Sequence, residues 1–339
     1  MTTAPILSVR DVEMEYTVKG KTFAAVSGIN LDLSEGETLG LVGESGCGKS
    51  TIGRSILQLP SPTRGSVTFK GTELTELSHT EMRPIRSQLQ IIFQDPVSSL
   101  NPRRKVKDIV AEPLTIAKIG TREERYDKVE KMLHAVGVDP SHAMERRPHQ
   151  FSGGQCQRIS IARALIMEPK VIVCDEAVSA LDVSVQAQIV NLLEDMKDRF
   201  GLTLLFISHD LAVVKHISDR VAVMYLGNLC ELAQSDRIYG APAHPYTLGL
   251  IGTIPTVEGG RAAQEGRVAL SGELPSPLNP PSGCRFRTRC PYAQEKCANE
   301  APQLRFIDDE HYVTCHFPLI ETSQTGGNAQ VPETRLTNA

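Results

Sequence analysis

The segment Gly43-Glu-Ser-Gly-Cys-Gly-Lys-Ser50 constrains this chain more than any other, because it fits G-x-x-x-x-G-K-[ST] directly after the apolar run Leu39-Gly-Leu-Val42. A strand that ends in such a loop and passes into a helix points backbone N–H groups, and the positive helix end, at one spot suited to phosphate oxygens. Gly43, Gly46 and Gly48 allow close approach, Glu44, Ser45 and Cys47 fill the variable positions, and the whole run from Gly43 to Thr51 is expected to contact the bound phosphates. Lys49 is expected to reach the β and γ phosphates and Ser50 to ligate Mg²⁺, with Thr51 carrying the chain into the helix. Cys47 reads as a small filler. The apolar runs around this loop alternate with helical patterns up to about residue 235, which predicts an α/β fold with helices on a mainly parallel sheet.

A second apolar run, Val171-Ile-Val-Cys174, ends in Asp175-Glu176. By itself an acidic pair after a strand reads as a helix cap. In a chain with a phosphate loop it reads as the other half of a nucleoside triphosphatase: Asp175 holds Mg²⁺ through water, and Glu176 is the base that polarises the attacking water.

Between these halves lies Phe151-Ser-Gly-Gly-Gln155. Ser152 offers a hydroxyl, Gly153 and Gly154 expose backbone N–H groups, and a helix following Gln155 points its positive end the same way. Alone this could be an ordinary capped helix. In this order it resembles the signature motif of ABC ATPases, with Phe151 in place of the usual Leu. The resemblance extends to Tyr16, similar to the aromatic that stacks on adenine, and to Gln94 in Ile91-Ile-Phe-Gln-Asp95, similar to the glutamine that contacts Mg²⁺ or water. It also covers Asp182 in Ser179-Ala-Leu-Asp182, the D-loop that crosses to a second cassette, and His209 in Ile207-Ser-His-Asp210, the switch histidine at the γ-phosphate. Tyr16 and His209 taken singly would read as structural. Ala177 departs from the Pro usual after the catalytic Glu.

The fold this implies is a RecA-like core with an antiparallel β subdomain and an inserted helical subdomain, followed by a small irregular Cys-rich C-terminal extension. The expected bounds are 1–240 for the ATP-binding domain, about 95–168 for the helical subdomain, 241–318 for the extension and 319–339 for a polar tail that reads as disordered. The implied mechanism is a composite site, with ATP sandwiched between the P-loop of one cassette and Ser152–Gln155 of another. One chain carries one of each, so it needs a paralogue or a second copy of itself.

Cys284, Cys290, Cys297 and Cys315 form the other distinctive feature, while Cys156, Cys174 and Cys230 read as buried fillers. No secretory signal is visible, and a reducing compartment favours metal ligation over disulfides. Four thiolates can close a zinc site or hold an iron–sulfur cluster. The flanking Pro280-Pro-Ser-Gly-Cys-Arg-Phe-Arg-Thr-Arg-Cys-Pro-Tyr-Ala, and His244-Pro-Tyr-Thr-Leu-Gly-Leu250, are similar to the C-terminal extension of oligopeptide and dipeptide importer ATPases. That resemblance implies a [4Fe–4S] cluster on these cysteines, with zinc or free thiols as alternatives. Arg285, Arg287 and Arg289 either offset the charge of such a centre or are solvated.

The same resemblance implies the partners: two transmembrane permeases, a second ATPase and an extracytoplasmic solute-binding protein, with this chain peripheral on the cytoplasmic face of the inner membrane. No apolar run reaches the ~18–20 residues needed to cross a bilayer, so other chains must span it. Peptide is the expected solute; nickel or another small solute is the alternative. A soluble ABC ATPase acting on nucleic acid or ribosomes is a further alternative, against which stand the formal net charge of -4 and the absence of a second cassette or inserted arms.

Overall fold

The computed structural model describes residues 4–254, 272–308 and 310–320. Most of the expected polar tail, and the linker from Val257 to Leu270, lie outside the described residues. The strands run β1 Leu7–Val18, β2 Lys21–Leu33, β3 Thr38–Val42, β4 Arg64–Phe69, β5 Thr72–Glu73, β6 Leu89–Ile92, β7 Val171–Asp175, β8 Thr203–Ile207, β9 Arg220–Tyr225, β10 Asn228–Gln234, β11 Arg305–Asp308 and β12 His311–Val313.

Two sheets result. An antiparallel one has the order β2-β1-β4-β5, and a larger one the order β11-β12-β10-β9-β3-β8-β7-β6. Within the larger sheet β6, β7, β8, β3 and β9 run parallel. The burial patterns explain the difference. Every residue of β3, β7 and β8 is buried, as expected of parallel strands covered on both faces. β1 instead buries Leu7, Val9, Val12 and Met14 and leaves the intervening positions more open, the mark of a sheet with one dry face.

The stretch after β6 is helical. Its longest member, Arg122–Ala135, starts at a capping box in which Thr121 and Glu124 satisfy each other's backbone N–H groups. It buries Val129, Met132 and Leu133 in the same core as Ile109 and Ile159. The second long helix of this region, Gly153–Leu165, leads back to β7.

The C-terminal segment is more regular than its composition predicts. The Pro- and Gly-rich stretch contains the helix Pro245–Ile251, started by Pro245 at its first position and by His244, whose Nδ1 accepts the Tyr246 N–H at 3.0 Å. Further on, β12 pairs with β10 (Glu231↔Val313, Leu232↔Tyr312), so the chain returns to extend the edge of the large sheet. The fully buried Glu231 carboxylate anchors this return. It accepts the N–H of Ala243 at 2.6 Å and of His244 at 2.9 Å, and lies 2.6 Å from His311 Nε2. A buried carboxylate without such partners would be strongly destabilising.

Candidate nucleotide-binding and hydrolysis site

The site lies at the carboxyl ends of the parallel strands, where open α/β sheets place their ligands. The phosphate loop follows β3, Gln94 follows β6, Glu176 follows β7 and His209 follows β8, and these four strands are neighbours in the order β3-β8-β7-β6.

Two glycines of the loop are demanded by space as well as by conformation. Gly43 has φ 152°, and a Cβ there would come within 2.2 Å of the Met224 carbonyl oxygen. Gly48 has φ 105°, and a Cβ would meet the Ala25 carbonyl oxygen at 2.4 Å. The loop is thus wedged between β2 and β9. It leads into the helix Lys49–Ile56, whose first residue is buried. The Lys49 ammonium donates to the carbonyls of Gly43 at 2.8 Å and Glu44 at 3.1 Å, and lies 4.0 Å from Glu176 Oε1. Cys47 is fully buried beneath the loop, where desolvation raises its thiol pKa, in keeping with a filler.

Glu176 is the hub of the opposite wall. Its Oε2 accepts from Gln94 Nε2 at 2.9 Å and lies 3.6 Å from His209 Nδ1. Its backbone is left-handed, φ 49°, a conformation that costs a non-glycine residue about 1 kcal/mol or more and clusters at functional sites. The strain persists because the Glu176 N–H bonds the Ile207 carbonyl at 3.0 Å and its own carbonyl accepts from Ser179 Oγ at 3.0 Å. The carboxylate side chain is only 13% exposed, whereas the His209 side chain is 54% exposed and open to a ligand.

Asp175, one residue earlier, is 1% exposed. One carboxylate oxygen, Oδ2, takes Arg54 Nη2 at 3.0 Å and Nε at 3.3 Å. The other, Oδ1, is buried with no hydrogen-bond partner among the described residues. An orphaned anionic oxygen here fits a hard cation, and with the hydroxyl of Ser50 and the amide of Gln94 it makes the oxygen-rich set that suits Mg²⁺. Arg54 was not anticipated from the sequence; its position on the turn after Lys49-Ser50 is the only signal that could have pointed to it.

The signature segment stands apart. Ser152 is exposed and caps its own helix, its Oγ accepting the Gln155 N–H at 3.3 Å while Gln155 Oε1 accepts the Ser152 N–H at 3.0 Å. Gly153 and Gly154 pack on Leu181 and Val185 of the D-loop region; a Cβ on Gly154 would come within 2.6 Å of Val185. Asp182 caps the helix Val183–Phe200, accepting the Val185 N–H at 3.1 Å and the Ser184 hydroxyl at 2.8 Å, and these bonds hold its pKa down. Next to it Val183 is 82% exposed. Tyr16 sits on the antiparallel sheet opposite Phe23, ring centroids 6.2 Å apart, with 38% of its surface open.

Cys284, Cys290, Cys297 and Cys315 line one small apolar cavity together with His244, Phe286 and others. Its volume, about 10 Å³, holds roughly one water. The metal expectation is not met by this arrangement: among the described residues no group of three or more His, Cys, Asp or Glu is placed to hold a metal ion. Burial raises the pKa of Cys284 and Cys290, and pushes Cys315 up to about 11. Nor do two of the three nearby arginines serve the pocket. Arg285 Nη2 bonds Ser27 Oγ at 2.9 Å and its Nη1 bonds the Leu226 carbonyl, while Arg289 pairs with Glu44 of the phosphate loop. Arg287 lines the cavity and bonds the Ser282 carbonyl at 2.9 Å.

Residues 26–179 match the ABC transporter family, and residues 230–297 match the oligopeptide/dipeptide transporter C-terminal region. The chain is 48% identical to the oligopeptide transport ATP-binding protein AppF of Bacillus subtilis, an alignment covering 92% of this chain and 97% of that protein. It is 51% identical to the oligopeptide transport ATP-binding protein OppF of Escherichia coli, covering 91% and 95%. Among solved structures it is similar to a dimeric ATP-binding cassette in a post-hydrolysis state bound to ADP and phosphate (TM-score 0.62, 29% identity, 68% of this chain and 98% of that one). It is also similar to the cbiO1 protein of Clostridium perfringens, part of the ABC transporter complex cbiONQ (TM-score 0.62, 28% identity, 70% and 92%).

Proposed function

Because the chain belongs to the ABC ATPases, in the branch of oligopeptide transport ATP-binding proteins, we propose that it hydrolyses ATP to power peptide uptake through a multi-chain importer. The observation that carries the catalytic part is the convergence of Lys49, Gln94 and His209 on one carboxylate, Glu176, at the mouth of the phosphate loop.

Each group has a distinct task. The loop amides and Lys49 bind the phosphates; Gln94 fixes the Glu176 carboxylate in place; His209, half open to solvent, meets the γ-phosphate. Glu176 takes a proton from the attacking water as its oxygen bonds to the γ-phosphorus, and the bond from that phosphorus to the bridging oxygen of ADP breaks. Ser50, Asp175 and Gln94 would hold Mg²⁺, which neutralises charge on the phosphate oxygens when bound. Tyr16 would stack on adenine.

Ser152, Gly153 and Gln155 are exposed, and this supports a composite site closed by a second cassette, a paralogue or another copy. The exposed D-loop around Asp182 and Val183 belongs to the same interface. ATP then favours the closed pair, and hydrolysis releases it, a two-state change passed to membrane partners. No helix among the described residues is long and apolar enough to cross a membrane, so two permease chains are assigned the spanning role, with an extracytoplasmic binding protein delivering solute and this subunit on the inner face.

For the cysteine pocket a [4Fe–4S] cluster is the finer proposal, zinc the alternative. What supports it is the donor set: four thiols from separate parts of the extension lining one enclosed, apolar cavity. Loading would require the thiols to part and deprotonate. Anaerobic purification with iron and sulfide analysis tests this; colourless, iron-free protein overturns it.

The transport reading is tested by reconstituting the chain with its permeases, second ATPase and binding protein in vesicles. Oligopeptide is expected to stimulate ATP hydrolysis and to accumulate. Stimulation by nickel but not by peptide would replace the solute assignment.

A further inference from the structure

Glu44, the second residue of the phosphate loop, is gripped from three sides. Its carbonyl accepts from Lys49 Nζ at 3.1 Å. Its N–H donates to the Tyr246 hydroxyl at 2.9 Å. Its carboxylate makes a two-point pair with the Arg289 guanidinium, Nη1 to Oε2 at 2.6 Å and Nη2 to Oε1 at 3.0 Å. Tyr246 and Arg289 lie 202 and 245 residues further along the chain, both within the C-terminal segment.

Neither partner is held in place by Glu44 alone. Tyr246 is fully buried on the helix Pro245–Ile251, its ring 4.7 Å from Tyr225 and 5.3 Å from Phe286, centroid to centroid. The Arg289 side chain is 5% exposed, and its guanidinium lies over the Tyr225 ring at 5.7 Å. A second strap runs beside the first. Arg285 bonds the Leu226 carbonyl, and the next residue, Gly227, donates its N–H to the Cys47 carbonyl at 2.8 Å. The loop that must cradle a polyanion therefore rests on a rigid aromatic and arginine platform built by the extension.

The electrostatics explain why such a platform is needed. A carboxylate inside a phosphate loop repels the ligand, and a bidentate arginine both cancels that charge and holds the side chain to one side. Fixing the residue-44 amide and carbonyl also spares the loop the entropy of ordering when nucleotide arrives. We infer that Arg289 and Tyr246 are positioning residues of the nucleotide site, acting through Glu44 to set the affinity for nucleoside triphosphate. The inference rests on the ATP reading above. It makes the extension a working part of the ATP site, through two residues that do not themselves line the cysteine pocket.

The test uses the full-length chain, with Mg·ATP affinity by equilibrium dialysis and steady-state ATPase kinetics of the assembled pair. Arg289→Gln is expected to raise the Kd and KM for ATP about tenfold while kcat changes far less, because an uncompensated carboxylate acts on binding. Adding Glu44→Gln removes that carboxylate and is expected to restore most of the lost affinity, which a merely structural role would not do. Tyr246→Phe, which leaves both ion-pair residues in place, should weaken binding severalfold and show no such rescue. Wild-type affinity in a folded Arg289→Gln protein, or a double variant no better than the single, overturns the inference. A wild-type chain that binds no ATP would instead strike the nucleotide reading itself, and this inference with it.

Discussion

The Gln94 amide donates to Glu176 Oε2 at 2.9 Å across 82 residues of sequence, joining the loop after β6 to the loop after β7. Their strands are direct parallel neighbours, with Ile92 paired to Cys174. A side chain on the segment leaving β6 is thus bonded to the carboxylate proposed above as the base.

Substituting Glu176→Gln keeps the size of the side chain and its contact with Gln94 but removes the base. Turnover is expected to fall by ~10²–10⁴-fold with ATP binding retained. Phosphate release and nucleotide binding measured on the same preparation check it; undiminished turnover removes Glu176 from the role.

One substitution separates the helix cap that Ser152 forms from its proposed contact across the cassette pair. Asp is as good a helix cap as Ser, so Ser152→Asp should leave the melting temperature nearly unchanged. Set against a nucleotide of the opposite cassette, however, the new carboxylate should abolish hydrolysis by the pair. Wild-type ATPase activity in this variant, or activity per chain that does not depend on protein concentration, would sink the composite site.

Gly48→Ala tests the packing of the loop. The added methyl collides with the Ala25 carbonyl and is placed at φ 105°, so the loop must shift. The expected cost exceeds about 1 kcal/mol in stability, with ATP affinity lost in the protein that still folds. Calorimetry and nucleotide titration measure both.

At Asp182 the cap and the crossing role can be compared. Asp182→Ala should cost about 1 kcal/mol through loss of the helix cap, whereas Asp182→Asn keeps the cap and should be nearly neutral for stability. Reduced ATPase activity in the stable Asn variant would show that the carboxylate acts across the cassette interface; equal activity would leave it a cap alone.

Much of the candidate catalytic set was proposed from the sequence because its parts obey local rules. A glycine-rich turn between a strand and a helix, or two carboxylates ending a buried strand, carries its chemistry in a few adjacent residues. Arg54 escaped notice because its partner Asp175 is 121 residues away and an arginine on a helix turn has no distinguishing neighbours. The arginines near the cysteines were read by proximity in sequence, as counter-charges or solvated groups. Folding sent two of them instead to the phosphate loop and its supporting turn. Helix Pro245–Ile251 was hidden by surrounding Pro and Gly, although His244-Pro245 is itself a helix start.

What the amino-acid order determined by itself is the kind of chemistry to expect: backbone amides for phosphate, a lysine, a candidate base and a signature segment. What only the tertiary structure decided is how these are held. Strand order brings Gln94, Glu176 and His209 to one edge, and the return of the chain over β9 and β10 places Tyr246 and Arg289 behind Glu44. The reason is one of range: turns and caps are set by neighbours a few residues apart, whereas an ion pair across 245 positions exists only once the core has packed.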